Sequence, residues 1–262
     1  MTRYYCSGFD IQNAFGHGLG TMFKKELKST KNIVYIPGGA AKIEKTKTKY
    51  VPLFTNAFKK VGIEFDNVNL ITPDLSPNMA QQMIRDADFI MLMGGDPFEQ
   101  KDMCEKLGIM ESLRNYTGVM VGYSAGAMLM SKYIIVTPCS EEYPDFRIES
   151  GLDLDGISIY PHNNTADTVY PDELVSGDET YKKSDLISVA KKYGKFYLLQ
   201  DNERQNGIVD VSLIKVNNEQ IEFYTENDGK IWLADKDITL LTGSHPAPLK
   251  TIKNTGICRC FL

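Results

Sequence analysis

Gly118-Val119-Met120-Val121-Gly122-Tyr123-Ser124-Ala125-Gly126-Ala127-Met128-Leu129-Met130 is an apolar run of strand length, then a serine between two glycines, then apolar residues again. Read as strand, turn and helix, it sets Ser124 at a sharp bend above the end of a strand, the arrangement called a nucleophile elbow. Glycine or alanine on either side leaves room for strained dihedrals and for a substrate carbonyl. The first N–H groups of the following helix would point to where an oxyanion forms. G-x-S-x-G is only moderately specific, because any strand-turn-helix can carry a serine between glycines. The neighbouring sequence therefore has to decide.

Before the elbow, runs of strand length alternate with helical patterns. They are Asn32 to Pro37, Val51 to Val61, Val68 to Ile71, Met79 to Arg85 and Asp88 to Met93. This is the rhythm of βαβ units around a parallel sheet. Phe89 to Met93 and Val119 to Val121 are apolar at every position, as strands covered by helices on both faces must be, so they are expected at the centre. Ser76 before Pro77 and Asp96 before Pro97 read as helix N-caps with proline at the first helical position. The second cap puts Gly94-Gly95-Asp96 at the C-terminal end of a central strand, the edge where open α/β sheets bind ligands.

After the elbow, Ile157 to Tyr160 reads as a strand leading into Pro161-His162-Asn163-Asn164. A helix over about residues 178–192 and a strand Phe196 to Leu199 follow. Val209 to Val216, Ile221 to Tyr224 and Lys230 to Leu233 read as short strands of an antiparallel meander extending one edge of the sheet. The expected organisation is one α/β domain over residues 1–262, with 209–262 as a C-terminal β-meander extension.

A serine needs a base to take its proton, and the base needs an acceptor to fix its tautomer. His162 and Asp201 each follow a strand, and would share the sheet edge of Ser124 if those strands run parallel. A loop histidine and a polar turn are the bland alternatives, and Glu203 competes with Asp201 as the acid. For the oxyanion, the N–H groups of Gly95 and Ala125 are the natural donors. A capped tight turn at Gly94-Gly95 is compatible with that role.

Composition narrows the function. A net charge of -5 exerts no pull toward nucleic acid or anionic membrane, and a small or peptidic substrate fits better. Met1 to Asp10 lacks the basic and apolar regions of a signal peptide, and no apolar run approaches membrane-spanning length, so the cytoplasm is the expected compartment. The five cysteines are odd in number and scattered, and Cys258-Arg259-Cys260 has no second half to complete a zinc site. They read as reduced structural thiols. With only His17, His162 and His245, a histidine-rich metal site is not expected either.

Together, Gly122 to Ala127, Gly94-Gly95-Asp96-Pro97 and Pro161-His162-Asn163 resemble the S51 serine peptidases, which include dipeptidase E and cyanophycinase. The resemblance runs to about residue 210. It implies a three-layer α/β sandwich with a mostly parallel sheet, of the class I glutamine-amidotransferase-like, flavodoxin type. It also implies hydrolysis of small peptides without metal or cofactor, with Ser124 as nucleophile, His162 as base, and Gly95 and Ala125 as oxyanion donors. Asp201 falls on the acid, where the best-known members have glutamate, one methylene longer. Aspartyl dipeptidases carry an arginine after a Glu-Thr pair that meets the substrate's acidic side chain. Here the stretch reads Glu179-Thr180-Tyr181-Lys182-Lys183. Tyrosine cannot grip a carboxylate as an arginine fork does, so strict specificity for N-terminal aspartate is not expected. Asn163, Tyr181 and Arg204 are the candidate substrate contacts, with Lys182 and Lys183 as further cations. The expected partner is a small peptide, neither nucleic acid nor membrane, and a homodimer is compatible with this reading.

Two other readings use the same residues. An α/β-hydrolase-type esterase would take the order Ser124, Asp201, His245, with Pro37-Gly38-Gly39 as its oxyanion loop. A non-catalytic protein would use the glycine turns and helix N-termini to hold a small anion. A glutamine amidotransferase is disfavoured, because its chemistry needs cysteine at the elbow.

Overall fold

The computed structural model describes residues 1–16, 18–138, 145–163, 173–176, 179–201, 209–242 and 250–253; for 173–176, 179–182 and 250–253 it describes the backbone alone. Five parallel strands, β1 (Thr2–Cys6), β2 (Asn32–Gly38), β3 (Asn67–Leu70), β4 (Phe89–Gly95) and β5 (Val119–Tyr123), form the heart of the larger sheet. Connecting them are α1 (Leu19–Glu26), α2 (Ile43–Lys45), α3 (Val51–Lys60), α4 (Pro77–Asp86), α5 (Pro97–Lys106) and α6 (Met110–Arg114). The elbow helix α7 (Ala125–Met130) follows β5, and α8 (Lys183–Tyr193) comes later.

Side chains alternate across the sheet and fill two cores. Ile33, Tyr35, Phe89, Met91, Val119 and Val121 pack under α1 and α3, with Phe15, Phe23, Phe54 and Phe58. Val34, Ile36, Ile90, Leu92 and Met120 pack on the other face, under α4, α5 and α7. This three-layer arrangement is why the central strands are apolar at every position. The expected caps are present: Ser76 accepts from Met79 N–H, and Asp96 Oδ1 accepts from Phe98 and Glu99 N–H.

From β2 the chain runs to β3 on one side and then returns to β4 on the other. A flavodoxin-like sheet opens a ligand crevice at such a switch point, outside the carboxyl ends of the strands. Gly38-Gly39 and Gly94-Gly95 both lie there.

The C-terminal half departs from expectation. The meander is divided between two sheets. β12 (Val211–Asn217) and β13 (Gln220–Glu226) extend the large sheet antiparallel beyond β1, with β16 (Lys250–Lys253) outside them. By contrast β14 (Ile231–Ala234) joins a separate four-stranded sheet, ordered β15 (Ile238–Thr242), β14, β11 (Phe196–Leu199), β8 (Ile159–Tyr160). The strands before His162 and Asp201, β8 and β11, are parallel to each other, yet they do not belong to the sheet of Ser124. The small sheet turns Ile159, Tyr197, Leu199 and Ile231 toward the large one, where Tyr197 meets the Phe223 ring at 5.5 Å. Its other face, with Tyr160, Phe196, Leu198 and Trp232, lies under α8.

A second correction concerns the helix expected over residues 178–192, which begins only at Lys183. Glu179–Lys182 is a strand, β10, paired antiparallel with β9 (Glu173–Ser176). Another two-stranded ladder joins β6 (Tyr133–Val136) and β7 (Arg147–Ser150). No helix among the described residues is long and apolar enough to cross a membrane.

Candidate active site

Ser124 sits between β5 and α7 with φ 53° and ψ -115°, a conformation that non-glycine residues adopt only when their surroundings impose it. The surroundings are visible. A Cβ on Gly122 would lie 2.6 Å from the backbone of Ala127, and one on Gly126 would lie 2.1 Å from Leu92 O. Both glycines are therefore required for the helix to fold back against β4 and β5, and the serine is forced up at the bend. Ser124 N–H donates to Cys6 O at 3.0 Å, fixing the bend to the neighbouring strand.

Ser124 Oγ lies 2.6 Å from His162 Nε2, and His162 Nδ1 lies 2.8 and 3.0 Å from the two oxygens of Asp201. An ionised carboxylate only accepts, so the Nδ1 proton points to Asp201 and Nε2 is left to accept from the serine. The His162 side chain keeps 41% of its surface exposed and that of Asp201 16%. The imidazole is thus open to an incoming molecule while the carboxylate behind it is shielded.

The elbow helix itself connects the two sheets. At its end Ser131 Oγ donates to Ala127 O and accepts from Ile159 N–H in β8, while Lys132 N–H donates to Ile157 O. Arg3 and Tyr5 of β1 both bond to Asp155, pinning the approach to β8 onto the large sheet. His162, just beyond β8, is placed by these contacts.

Gly95 has φ 152°, and a Cβ there would stand 2.3 Å from Gly38 O, so only glycine fits the turn. Behind it, Gln100 of α5 is fully buried and its amide donates to Ile36 O, Pro37 O and Met93 O, tying the ends of β2 and β4 together. Gly94 and Gly95 line a cavity of about 260 Å³ that reaches Ser124. Ala125 is buried as the first residue of α7, where a helix N–H has no intrahelical partner.

Ile11, Tyr50, Phe54, Met93 and Tyr123 form the apolar wall of this cavity, and Lys42 and Lys45 join its lining. Both lysines come from a helical run that passes through a π-helical turn at Thr46–Tyr50 before α3, a distortion often found at functional sites. Burial, then the charge of Asp201, pushes the Tyr123 phenol up to about 12, so it stays neutral. A larger cavity of about 750 Å³ opens at the other end of the strands, around Thr2, Gly118 and Asn217. It lies at the opposite end of β5 from Ser124.

Of the other expected site residues, Asn163 is fully buried and its N–H donates to Leu199 O at 2.9 Å. Tyr181 lies on β10, but its side chain is outside the described residues, as are that of Lys182 and the whole of His17, Glu203, Arg204 and His245. Cys139, Cys258 and Cys260 are outside them too, whereas Cys6 and Cys104 are buried free thiols, pushed up by desolvation. Lys183 is paired with Asp237 at 2.5 Å. Among the described residues, no group of three His, Cys, Asp or Glu is arranged to hold a metal ion.

Sequence reasoning missed Ser7, Gly8, Lys42, Lys45 and Tyr50. Ser7 carries no motif of its own, but it follows β1, whose register pairs Cys6 with Tyr123, so it arrives beside Ser124. Ser7 Oγ is 2.8 Å from Asp201 Oδ1, and a Cβ on Gly8 would lie 2.4 Å from Asp201 Oδ2.

Among curated proteins no sequence matches. Among solved structures, a peptidase from an acI-B1 Actinobacterium superposes with a TM-score of 0.57 at 15% identity, covering 96% of each chain. A putative peptidase E protein from Listeria monocytogenes superposes with a TM-score of 0.50 at 15% identity, covering 88% of this chain and 96% of its own. These likenesses show the fold. The model of peptidase family S51 matches residues 7–223, from the Ser7-Gly8 step through the elbow, His162 and Asp201. The chain belongs to peptidase family S51.

Proposed function

We propose that this serine peptidase hydrolyses small peptides through an acyl-enzyme on Ser124. The hydrogen-bonded series Ser124 Oγ, His162 Nε2, His162 Nδ1, Asp201 carries the reading. His162 takes the serine proton as Oγ attacks the peptide carbonyl, and Asp201 stabilises the imidazolium that forms. The N–H groups of Gly95 and Ala125 receive the oxyanion. His162 then gives its proton to the leaving amine, and the amine departs as the C–N bond breaks. Water, deprotonated by the same imidazole, releases the acid and restores Ser124.

The cavity is small beside the roughly 300–1,000 Å³ common for ligand pockets, which favours short peptides. Its wall suits an apolar side chain, and Lys42 and Lys45 offer a counter-charge to a peptide carboxylate. Neither lysine presents the bidentate fork of an arginine, which agrees with a preference broader than N-terminal aspartate. His162 Nε2, 2.6 Å from Ser124 Oγ, already fills the base position that the esterase reading would give to His245.

A dipeptide panel with varied N-terminal residues, each free and C-terminally amidated, tests this by chromatography of the released amino acids. Cleavage abolished in Ser124→Ala, and faster for free than for amidated peptides, is expected. Cleavage that survives Ser124→Ala contradicts the mechanism. Equal rates for both peptide forms remove the role given to the lysines.

A further inference from the structure

We propose that Ser7 is a positioning residue that holds the His162–Asp201 pair in reactive geometry, acting through Asp201 and not on the substrate. The inference rests on the reading of Ser124 as the nucleophile. Ser7 is fully buried and is not part of the cavity lining. Its hydroxyl accepts from His162 backbone N–H at 2.8 Å and has one proton to give. Asp201 Oδ1 at 2.8 Å is the nearer acceptor, and Leu199 O at 3.3 Å the farther. Oδ1 is also the closer of the two oxygens to His162 Nδ1. One hydroxyl therefore ties the main chain of the base to the oxygen that orients its ring.

Both partners need such support. His162 has φ 58°, a left-handed conformation that a non-glycine residue keeps only when its surroundings hold it. The bonds from His162 N–H to Ser7 and from Asn163 N–H to Leu199 O hold it. On the other side, the lack of a Cβ at Gly8 lets Asp201 Oδ2 sit against the main chain. Ser7-Gly8 thus encloses the carboxylate at both oxygens. Its own backbone is fixed separately, with Ser7 N–H donating to Ser212 O, so removing the hydroxyl leaves that anchor in place.

The test is a double-mutant cycle read by the rate at which a fluorophosphonate-rhodamine probe labels Ser124. It compares the wild type, Ser7→Ala, Asp201→Asn and the double variant. Ser7→Ala is expected to slow labelling about 10–100-fold, the loss expected for one buried hydrogen bond to a charged group. In the Asp201→Asn background the same change is expected to cost about threefold or less, because the effect runs through the carboxylate. The far-downfield Nδ1 proton resonance of His162 should also move in Ser7→Ala. Equal slowing in both backgrounds, or none with Asp201 present, overturns the inference. If Ser7→Ala does not fold, Ser7→Cys, a weaker donor of similar size, takes its place in the cycle. Wild-type Ser124 that goes unlabelled, or labels equally well in His162→Ala, defeats the nucleophile reading itself and this inference with it.

Discussion

Ser124 stands at the end of β5 beside β4, where Phe89 to Met93 and Val119 to Val121 are apolar at every position, and its bend follows from the contacts of Gly122 and Gly126 with α7 and β4. His162 and Asp201 stand on a smaller sheet, where β8 has only two residues and β11 four. Their distance from Ser124 depends on how one sheet seats on the other, through Tyr197 against Phe223, Asp155 against β1, and the end of α7 against β8. The first region makes a nucleophile by local geometry. The second activates it by docking, and docking is the more easily disturbed.

The largest effects should come from the meeting point. Ser124→Ala and His162→Ala should each lower peptide hydrolysis by about 10⁴-fold or more while leaving the fold intact. Asp201→Asn keeps the shape of the acid but inverts the tautomer it favours, and should cost about 10³–10⁴-fold. Steady-state rates on the best dipeptide check all three. A loss below about tenfold for Asp201→Asn would mean that the small sheet contributes only the base.

Gly95→Ala tests the large sheet alone. The new Cβ would strike Gly38 O and turn the Gly94-Gly95 peptide, so kcat should fall about 10²-fold with KM little changed. Unaltered turnover would remove the oxyanion role from Gly95. Phe223→Ala loosens the seat between the sheets without touching the catalytic groups. It should cost about 3–5 kcal/mol in urea unfolding and reduce kcat in the remaining folded protein. A stability loss with normal kcat would show that the triad does not depend on that contact.

The smallest effect belongs to the far side of α5, where Lys101 meets Glu149 at 2.9 Å. The Lys101 hydrogen bond, then Arg147, holds the Glu149 carboxyl below its ordinary range. A depressed carboxyl stabilises the fold above its unfolded value, about pH 4.3, and loses that contribution as pH falls through the folded value. Both side chains are partly exposed, so Lys101→Ala should cost about 1 kcal/mol or less near pH 7. The difference from wild type should shrink below about pH 4 in thermal melts. A difference that grows on acidification would contradict the pairing.

The same contrast explains what could be read from the sequence. The alternating apolar strands, the caps at Ser76 and Asp96 and the glycines around Ser124 are local signals, and each appears where the sequence put it. His162 and Asp201 were identifiable as residues following strands, but not the sheet those strands belong to, because two apolar residues at Ile159–Tyr160 carry no topology. Glu179–Lys182 reads from sequence as the start of the helix that follows it, and pairing with Glu173–Ser176 draws it into a strand. Ser7-Gly8 carries no local motif, and only the register of β1 beside Tyr123 gives it a partner. Lys42 and Lys45 carry no motif in the sequence, and only the fold brings them to the cavity.

The central claim is that a base on one sheet activates a serine on the other. Mapping the adduct left by a fluorophosphonate, in the wild type and in His162→Ala, tests it most directly by intact mass and peptide sequencing. A single adduct on Ser124 that forms rapidly in the wild type and is nearly lost in folded His162→Ala is the predicted result. An adduct on another residue, or one on Ser124 that forms equally fast without His162, would contradict the account.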